Sequence, residues 1–426
     1  MNKFKIPRTR PGTLAGAYAL LCLLLPTVVL FNARAVVPIA IVVALAVLLI
    51  CWRKGQLGDL QRMDKPLVVL TCGYFAATLI ASLNAGIESD AIVSTGKLAG
   101  IIVLAAILIP AQTSLSHSDR QWVFLTLIVS VSLATFWILF DVWSTAKLSW
   151  LIHGYDTRDP ATVARLKMYG YFWYKSALAM LVLLALILGI YLQKHGSVLI
   201  AFFFVAVTAL AGLEIGSRTA GFGILLALAI GSTYHLFGSY RRKLAIALLL
   251  LSFLTPLWVP SIGIKPSDVS AELNDKYGYA NSIVYRLHIW DFVTGKIYEK
   301  PLLGWGAGAS KRLGTEDQGI LSDPNFGPLG EAIPIHPHNG ILQIWLEFGA
   351  LGALFAFSCV SRFLIIMDRR LNTPGSRIWG FSAAGLLACF FGFNFSISSS
   401  WWLTSVVFCI AIAALFSTCN EKSAEP

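Results

Sequence analysis

Charge is what this chain has least of. Only 13% of its 426 residues are Asp, Glu, Lys or Arg, against about a quarter in an ordinary soluble domain. So few charges cannot dress the surface of a water-soluble globule this large. With 57% of the residues apolar, the remaining solvent is lipid, where apolar runs close their backbone hydrogen bonds inside helices. Other absences narrow the reading. There is no internal repeat and no low-complexity segment. None of the seven cysteines (Cys22, Cys51, Cys72, Cys359, Cys389, Cys409, Cys419) falls in the longest hydrophilic stretch, which argues against a structural disulfide or a metal cluster there. The net charge of +11 is not gathered on a soluble domain, as nucleic-acid binding would require. It is spread over short loops between apolar runs, where basic residues set membrane orientation.

Those runs fall at 12–31, 35–52, 66–84, 92–110, 121–140, 174–192, 196–213, 218–235, 243–260, 340–362, 378–395 and 401–418. Each suffices to cross roughly 30 Å of hydrocarbon as a helix. The expected fold class is an all-α polytopic integral membrane protein with about twelve transmembrane helices. Residues 1–260 would hold spans one to nine, with an outer loop at 141–173. Residues 261–339 would form one large, partly helical outer loop, and 340–426 the last three spans and a C-terminal tail. Met1-Asn2-Lys3-Phe4-Lys5 resembles the head of a signal peptide, but its apolar stretch is long and another span follows at once. An uncleaved first span is expected.

Short loops set the orientation. Lys3, Lys5, Arg8 and Arg10 precede the first span. Arg53, Lys54, Arg62 and Lys65 follow the second, Arg241, Arg242 and Lys243 the eighth, and Arg369, Arg370 and Arg377 the tenth. Loops 85–91 and 396–400 carry no Lys or Arg. Both termini are then expected in the cytoplasm and both long loops outside. Within the larger loop, Ile283, Leu287, Trp290 and Val293 recur at helical spacing, predicting a helix over 281–296 that lies against the membrane or bundle. Pro301 and Gly304-Trp305-Gly306-Ala307-Gly308 mark irregular backbone. Residues 143–155, with Trp143 and Trp150, read as a second interfacial segment.

Charges at span boundaries carry a functional hypothesis, because burying them is costly. Arg218 stands in Gly216-Ser217-Arg218-Thr219, at the start of the eighth span after a tight turn. Arg286 lies on the apolar-periodic loop helix. A guanidinium suits phosphate, since its planar fork donates two charge-assisted hydrogen bonds; anchoring by snorkelling is the plainer alternative for each. His338, in His336-Pro337-His338-Asn339-Gly340, sits where the long loop meets the tenth span. An imidazole there suits a general base, or simply caps a turn. His336 raises the question of a metal, but no further ligand stands at usual spacing. Lys97, mid-span, could meet an anionic headgroup. Arg158, Arg165 and Lys167 make the 141–173 loop basic, suited to solvent or lipid phosphate. The acidic triplet Glu88-Ser89-Asp90 is of the kind some membrane glycosyltransferases use for a metal, with nothing else here in support.

His338-Asn339, followed by nine residues, Gly349, two residues and Gly352, resembles the signature of the bacterial O-antigen ligase family. The Ser217-Arg218-Thr219-Ala220 stretch, and Arg286 followed by Trp290, Pro301 and Gly304-Trp305-Gly306, look like its other landmarks. Arg165-Leu166-Lys167-Met168-Tyr169-Gly170 matches only loosely, and Tyr174 and Lys175 stand where an Asn is expected, so Arg165 ranks below the three main residues. The resemblance implies a GT-C-like membrane glycosyltransferase of the Gram-negative inner membrane. It would move a glycan from undecaprenyl diphosphate to a hydroxyl of lipid A–core oligosaccharide at the periplasmic face. Inversion is implied, with no metal ion, no other cofactor and no nucleotide sugar. On that analogy His338 is the base, Arg218 and Arg286 hold the diphosphate, and Asn339, His336, Arg165 and Lys97 are secondary candidates. Asn339 and Gly340 would let the backbone turn, and Gly349 and Gly352 would permit close helix packing. An O-antigen polymerase or a protein O-oligosaccharyltransferase shares the donor. An asparagine-linked oligosaccharyltransferase does not fit, since Trp401-Trp402 is followed by Leu403. A transporter or flippase would show pseudo-repeated halves.

Overall fold

The computed structural model describes residues 10–86, 89–154, 158–168, 174–263, 265–277, 282–316 and 320–417. The helices are α1 Thr13–Val28, α2 Val36–Arg53, α3 Lys65–Asn84, α4 Ser89–Ala111, α5 His117–Trp143, α6 Lys147–His153, α7 Pro160–Met168, α8 Tyr174–Lys194, α9 Val198–Glu214 and α10 Arg218–Leu236. They continue with α11 Arg241–Phe253, α12 Thr255–Trp258, α13 Pro266–Tyr277, α14 Ser282–Glu299, α15 Ala309–Glu316, α16 Gly340–Arg370, α17 Pro374–Phe393 and α18 Ser400–Ser417. Every apolar run read from the sequence falls on a helix. Among the described residues nine helices are long and apolar enough to cross a membrane, and α1 and α9 are shorter apolar ones. The protein is an all-α polytopic membrane protein. The run at 243–260 is divided between α11 and α12, where Pro256 in the first turn of α12 has no N–H to continue the ladder.

Local chemistry sets the helix ends. Asp64 caps α3 by accepting from the Leu67 N–H at 3.0 Å, Ser116 and Asp119 form a capping box on α5, and Thr373 caps α17 with Pro374 in its first turn. Helix α8 is apolar all round and buried along nearly its whole length, as a helix in a bundle centre must be. α5, α9, α17 and α18 pack against it. The outer helices turn large apolar side chains outward, among them Val42, Phe136, Leu199 and Leu225. Lipid accepts such a surface and water does not.

The stretch 261–339 holds α13, α14, α15 and a hairpin of β1 Ile320–Asp323 with β2 Gly327–Glu331, antiparallel and irregular between Leu321 and Ser322. No strand was expected there; the strands are too short to alternate visibly. The turn is built locally, with Asp323 Oδ1 accepting from the N–H groups of Asn325 (2.8 Å) and Phe326 (3.2 Å). Helix α14 forms close to its expected place, but its buried stripe is Val284, Ile289, Val293 and Ile297. Ile283, expected on the inner face, is 54% exposed, because the packing of α14 on α16 turns that face away.

Helix α16 is broken at Gly349, whose φ of +60° and ψ of −160° no regular helix contains. The loop after α14 is inserted into the break. Trp305 N–H and Gly306 N–H donate to the Leu346 and Glu347 carbonyls at 2.8 and 2.9 Å, while Ala350 N–H and Leu351 N–H donate to the Pro301 and Leu302 carbonyls at 2.8 and 3.2 Å. Four loop bonds thus satisfy the backbone groups that the break exposes. Non-helical backbone at membrane depth is tolerated where protein satisfies it. A Cβ at Gly349 would stand 2.4 Å from the Leu302 carbonyl carbon, and one at Gly304 2.6 Å from the Glu347 carbonyl carbon. Gly349 was expected to serve helix–helix packing; it admits a loop instead. Gly352 packs against its own preceding turn, where a Cβ would meet Phe348 Cβ at 2.2 Å.

Candidate active site

The inserted loop clamps α14 against α16, and so fixes Arg286 on one relative to His338 at the head of the other. Trp305 strengthens the clamp: its indole N–H donates to the Lys296 carbonyl at 2.8 Å, and Lys300 Nζ stands 3.9 Å from the ring centroid. Further along α14, Trp290 Nε1 donates to the Pro337 carbonyl at 2.9 Å and pins the segment that carries both histidines. Tyr285 Oη donates to the Glu331 carbonyl at 2.7 Å. His288 Nε2 pairs with Asp323 Oδ2 at 2.7 Å, so the hairpin is tied to the same helix. Desolvation pushes the Asp323 pKa up, but hydrogen bonds from Ser270, His288 and the Asn325 backbone outweigh it and hold the carboxyl below its ordinary range.

His338 has a φ of +54°, a left-handed conformation that a side chain other than glycine adopts only when its surroundings impose it. Its N–H donates to His336 Nδ1 at 3.0 Å. Asn339 follows as the cap of α16, its Oδ1 accepting from Ile341 and Leu342 N–H at 3.0 and 3.1 Å. Asn339 is thereby occupied as a cap. The His336 and His338 rings lie 4.4 Å apart at 54°. With His336 Nδ1 taken by a backbone donor, the two imidazoles do not present converging lone pairs to a metal. Among the described residues no three His, Cys, Asp or Glu side chains gather as a metal site would need; Glu88 of the acidic triplet lies outside them.

Arg286 is half-buried, and among the described residues it has no carboxylate partner. Its charge acts on both imidazoles. The pKa of His338 falls to about 4, through burial and then Arg286, with the Asn394 backbone acting the other way. That of His336 falls to about 3, through burial, His338 and Arg286. Burial lowers the Arg286 pKa as well. His338 Nδ1 is buried, with no hydrogen-bond partner among the described residues. The ring is therefore neutral at ordinary pH, with unused capacity for a proton.

Arg218 is the first residue of α10; its side chain lies outside the described part. Its neighbour Thr219 donates to Asn394 Oδ1 at 2.9 Å, and Asn394 is the residue whose backbone acts on His338. The start of α10 is thus brought to the loop that touches the candidate base. Arg165 is exposed on α7, and among the described residues no hydrogen bond or ion pair joins it to the His338 group. Lys97, exposed on α4, lines a small cavity with Ser94, Ile397 and Ser398.

Sequence reasoning missed Glu347 and Gln343. Glu347 is fully buried in α16 and accepts from Gly308 N–H (3.0 Å), Ser310 Oγ (2.6 Å) and Gln343 Nε2 (2.9 Å). Gln343 Oε1 in turn accepts from Ser396 Oγ at 3.0 Å and Ile397 N–H at 3.1 Å. The pair ties the inserted loop to the 394–399 loop across α16. A carboxylate inside an apolar run was the available signal.

Residues 209–357, which hold Arg218, Arg286 and His338, match the O-antigen ligase family model. Relatives carrying the name "Putative polysaccharide ligase" are found in rickettsias. That of Rickettsia conorii is 31% identical over 213 residues, 48% of each chain. That of Rickettsia typhi is 29% identical over 270 residues, 62% of each, and that of Rickettsia prowazekii 28% over 220 residues. The matched part spans about half the length of the relatives from Rickettsia conorii and Rickettsia prowazekii. All three candidate residues lie within the matched stretch, at the head of α10, on α14 or at the head of α16, elements that the inserted loop and Asn394 hold together.

Proposed function

We propose that this protein is a polysaccharide ligase of the inner membrane. It would transfer a glycan from undecaprenyl diphosphate to a hydroxyl of lipid A–core oligosaccharide, with inversion and without a metal ion. The observation that carries the reading is the half-buried Arg286 guanidinium, with no carboxylate partner among the described residues, acting on the neutral His338 imidazole. Diphosphate is already a good leaving group, so positioning and positive charge are most of what the reaction asks of a protein. The acceptor oxygen attacks the anomeric carbon, its proton passes to His338, and the bond to the diphosphate breaks with its electron pair leaving on the phosphate oxygen. Arg286, with Arg218 at the head of α10, balances that growing charge. Neutralising Arg286 with a bound diphosphate removes part of what depresses the His338 pKa. The base then gains proton affinity as the donor arrives. On this reading 261–339 faces the periplasm and both termini the cytoplasm, in keeping with the basic short loops.

Complementation of a ligase-deficient strain tests it, with long-chain lipopolysaccharide on a gel as readout. Wild type should restore the ladder. His338→Asn, Arg286→Ala and Arg218→Ala should each insert normally and leave polymer on its lipid carrier. A restored polymer length without attachment to core makes the protein a polymerase, and glycosylated pilin makes it a protein transferase.

A further inference from the structure

At the end of the bundle opposite His338, α4, α8, α16, α17 and α18 enclose a cavity of about 250 Å³. Phe363, Ile366 and Arg370, in the last turns of α16, line it. They lie about 40 Å along that helix from His338 at 1.5 Å per residue, so this is not the candidate active site. Its walls are apolar: Leu183, Ile187, Leu387, Val406, Ile410 and Ala413. Arg62, Asp64 and Arg370 also line it, the Asp64 carboxylate being paired with Arg362 at 2.6 Å. Arg62 shares its charge with Asp59 at 3.1 Å, whereas Arg370 is exposed and has no ion pair among the described residues.

One side chain does not suit an empty apolar cavity. Gln112, just beyond the last residue of α4, lines it while fully buried, and among the described residues neither its Nε2 nor its Oε1 has a hydrogen-bond partner. Buried amides are almost always paired, so a ligand that supplies the partner is favoured. We propose that the cavity holds one glycerophospholipid with an anionic headgroup. Its phosphate meets Arg370 and Arg62, an ester carbonyl accepts from Gln112 Nε2, and one acyl chain runs between α8, α17 and α18. Depth supports this occupant: Gln112 lies near the end of the bundle, where a lipid carries its ester groups just beneath the phosphate. A polyprenyl phosphate has no carbonyl at that level. The chain's own end, Asn420-Glu421-Lys422-Ser423, is too polar for these walls.

The test is native mass spectrometry of the full-length protein titrated with phosphatidylglycerol and with its ether-linked analogue, which lacks the ester carbonyl. Wild type should hold one phosphatidylglycerol, and the ether analogue should bind up to about tenfold more weakly for want of one hydrogen bond. Gln112→Leu should weaken phosphatidylglycerol by a similar factor and erase the preference between the two lipids. Ala384→Phe, which fills the cavity, should abolish binding, while Leu248→Ala on an exposed face should leave it unchanged. The proposal fails if the ester and ether lipids bind wild type alike, if polyprenyl phosphate displaces phosphatidylglycerol at equal concentration, or if a folded Ala384→Phe protein retains the lipid.

Discussion

At one end of α16, arginines drawn into the protein are met by carboxylates. Asp368 gathers Arg241 at 2.9 Å, Arg242 at 3.2 Å and Arg377 at 3.8 Å, and Asp64 takes Arg362 through two contacts of 2.8 and 2.6 Å. At the other end Arg286 is half-buried beside two imidazoles, with no carboxylate among the described residues. Paired arginines hold helices together. An unpaired one in a confined place stores an electrostatic deficit that an anion can fill. The carboxylates of the first end already do for its arginines what a diphosphate would do for Arg286.

Breaking the second end should have the largest effect. His338→Asn tolerates the left-handed backbone but supplies no base, so ligation should fall by about 10²- to 10⁴-fold. The protein's melting temperature should stay close to wild type, and a matching loss of folded protein would remove the catalytic assignment.

The clamp comes next. Gly349→Ala imposes a strained φ and a clash with the Leu302 carbonyl, and should cost about 3 kcal/mol. Glu347→Leu strands the Gly308 and Ser310 donors and should cost about 2 kcal/mol. Glu347→Gln, which keeps an acceptor, should cost less. Thermal unfolding in detergent reads all three. A Glu347→Gln protein as unstable as Glu347→Leu would mean that the charge, and not the hydrogen bonds, holds the loop.

Acid sharpens the comparison. The unfolded His338 takes a proton below about pH 6.5, the folded one only near 4. The neutral ring therefore contributes stability that is complete above pH 6.5 and is lost as pH falls toward 4. Arg286→Ala removes one cause of the depressed pKa and should flatten that decline. The melting temperature followed from pH 7 to pH 4 measures it, and an unchanged slope would separate the arginine from the histidine.

The smallest effect belongs to the paired end. Asp64→Asn loosens a partly exposed ion pair and should lower the melting temperature only slightly, with ligation unchanged. A large loss of ligation there would deny the division between the two ends.

Much of this architecture was legible in the residues themselves. Apolar runs without charge have one solution in lipid, the helix, so the spans followed from composition and length. Helix α14 followed from spacing, and Arg286 and His338 stood out as candidates through the cost of placing charge and imidazole at a membrane boundary. What stayed hidden depends on partners distant in the chain. Ile283 obeys the same period as Val284, and only the packing of α14 on α16 decides which of them is buried. The break at Gly349 exists because Pro301–Gly306 is at hand to take its hydrogen bonds. Glu347 gains its meaning from Gly308, Ser310 and Gln343, and Gln112 from the want of any such partner. Local sequence determines which backbone can close its own hydrogen bonds. Tertiary structure determines where it need not, because another segment closes them, and in this protein that is where the helices carrying Arg286 and His338 are joined.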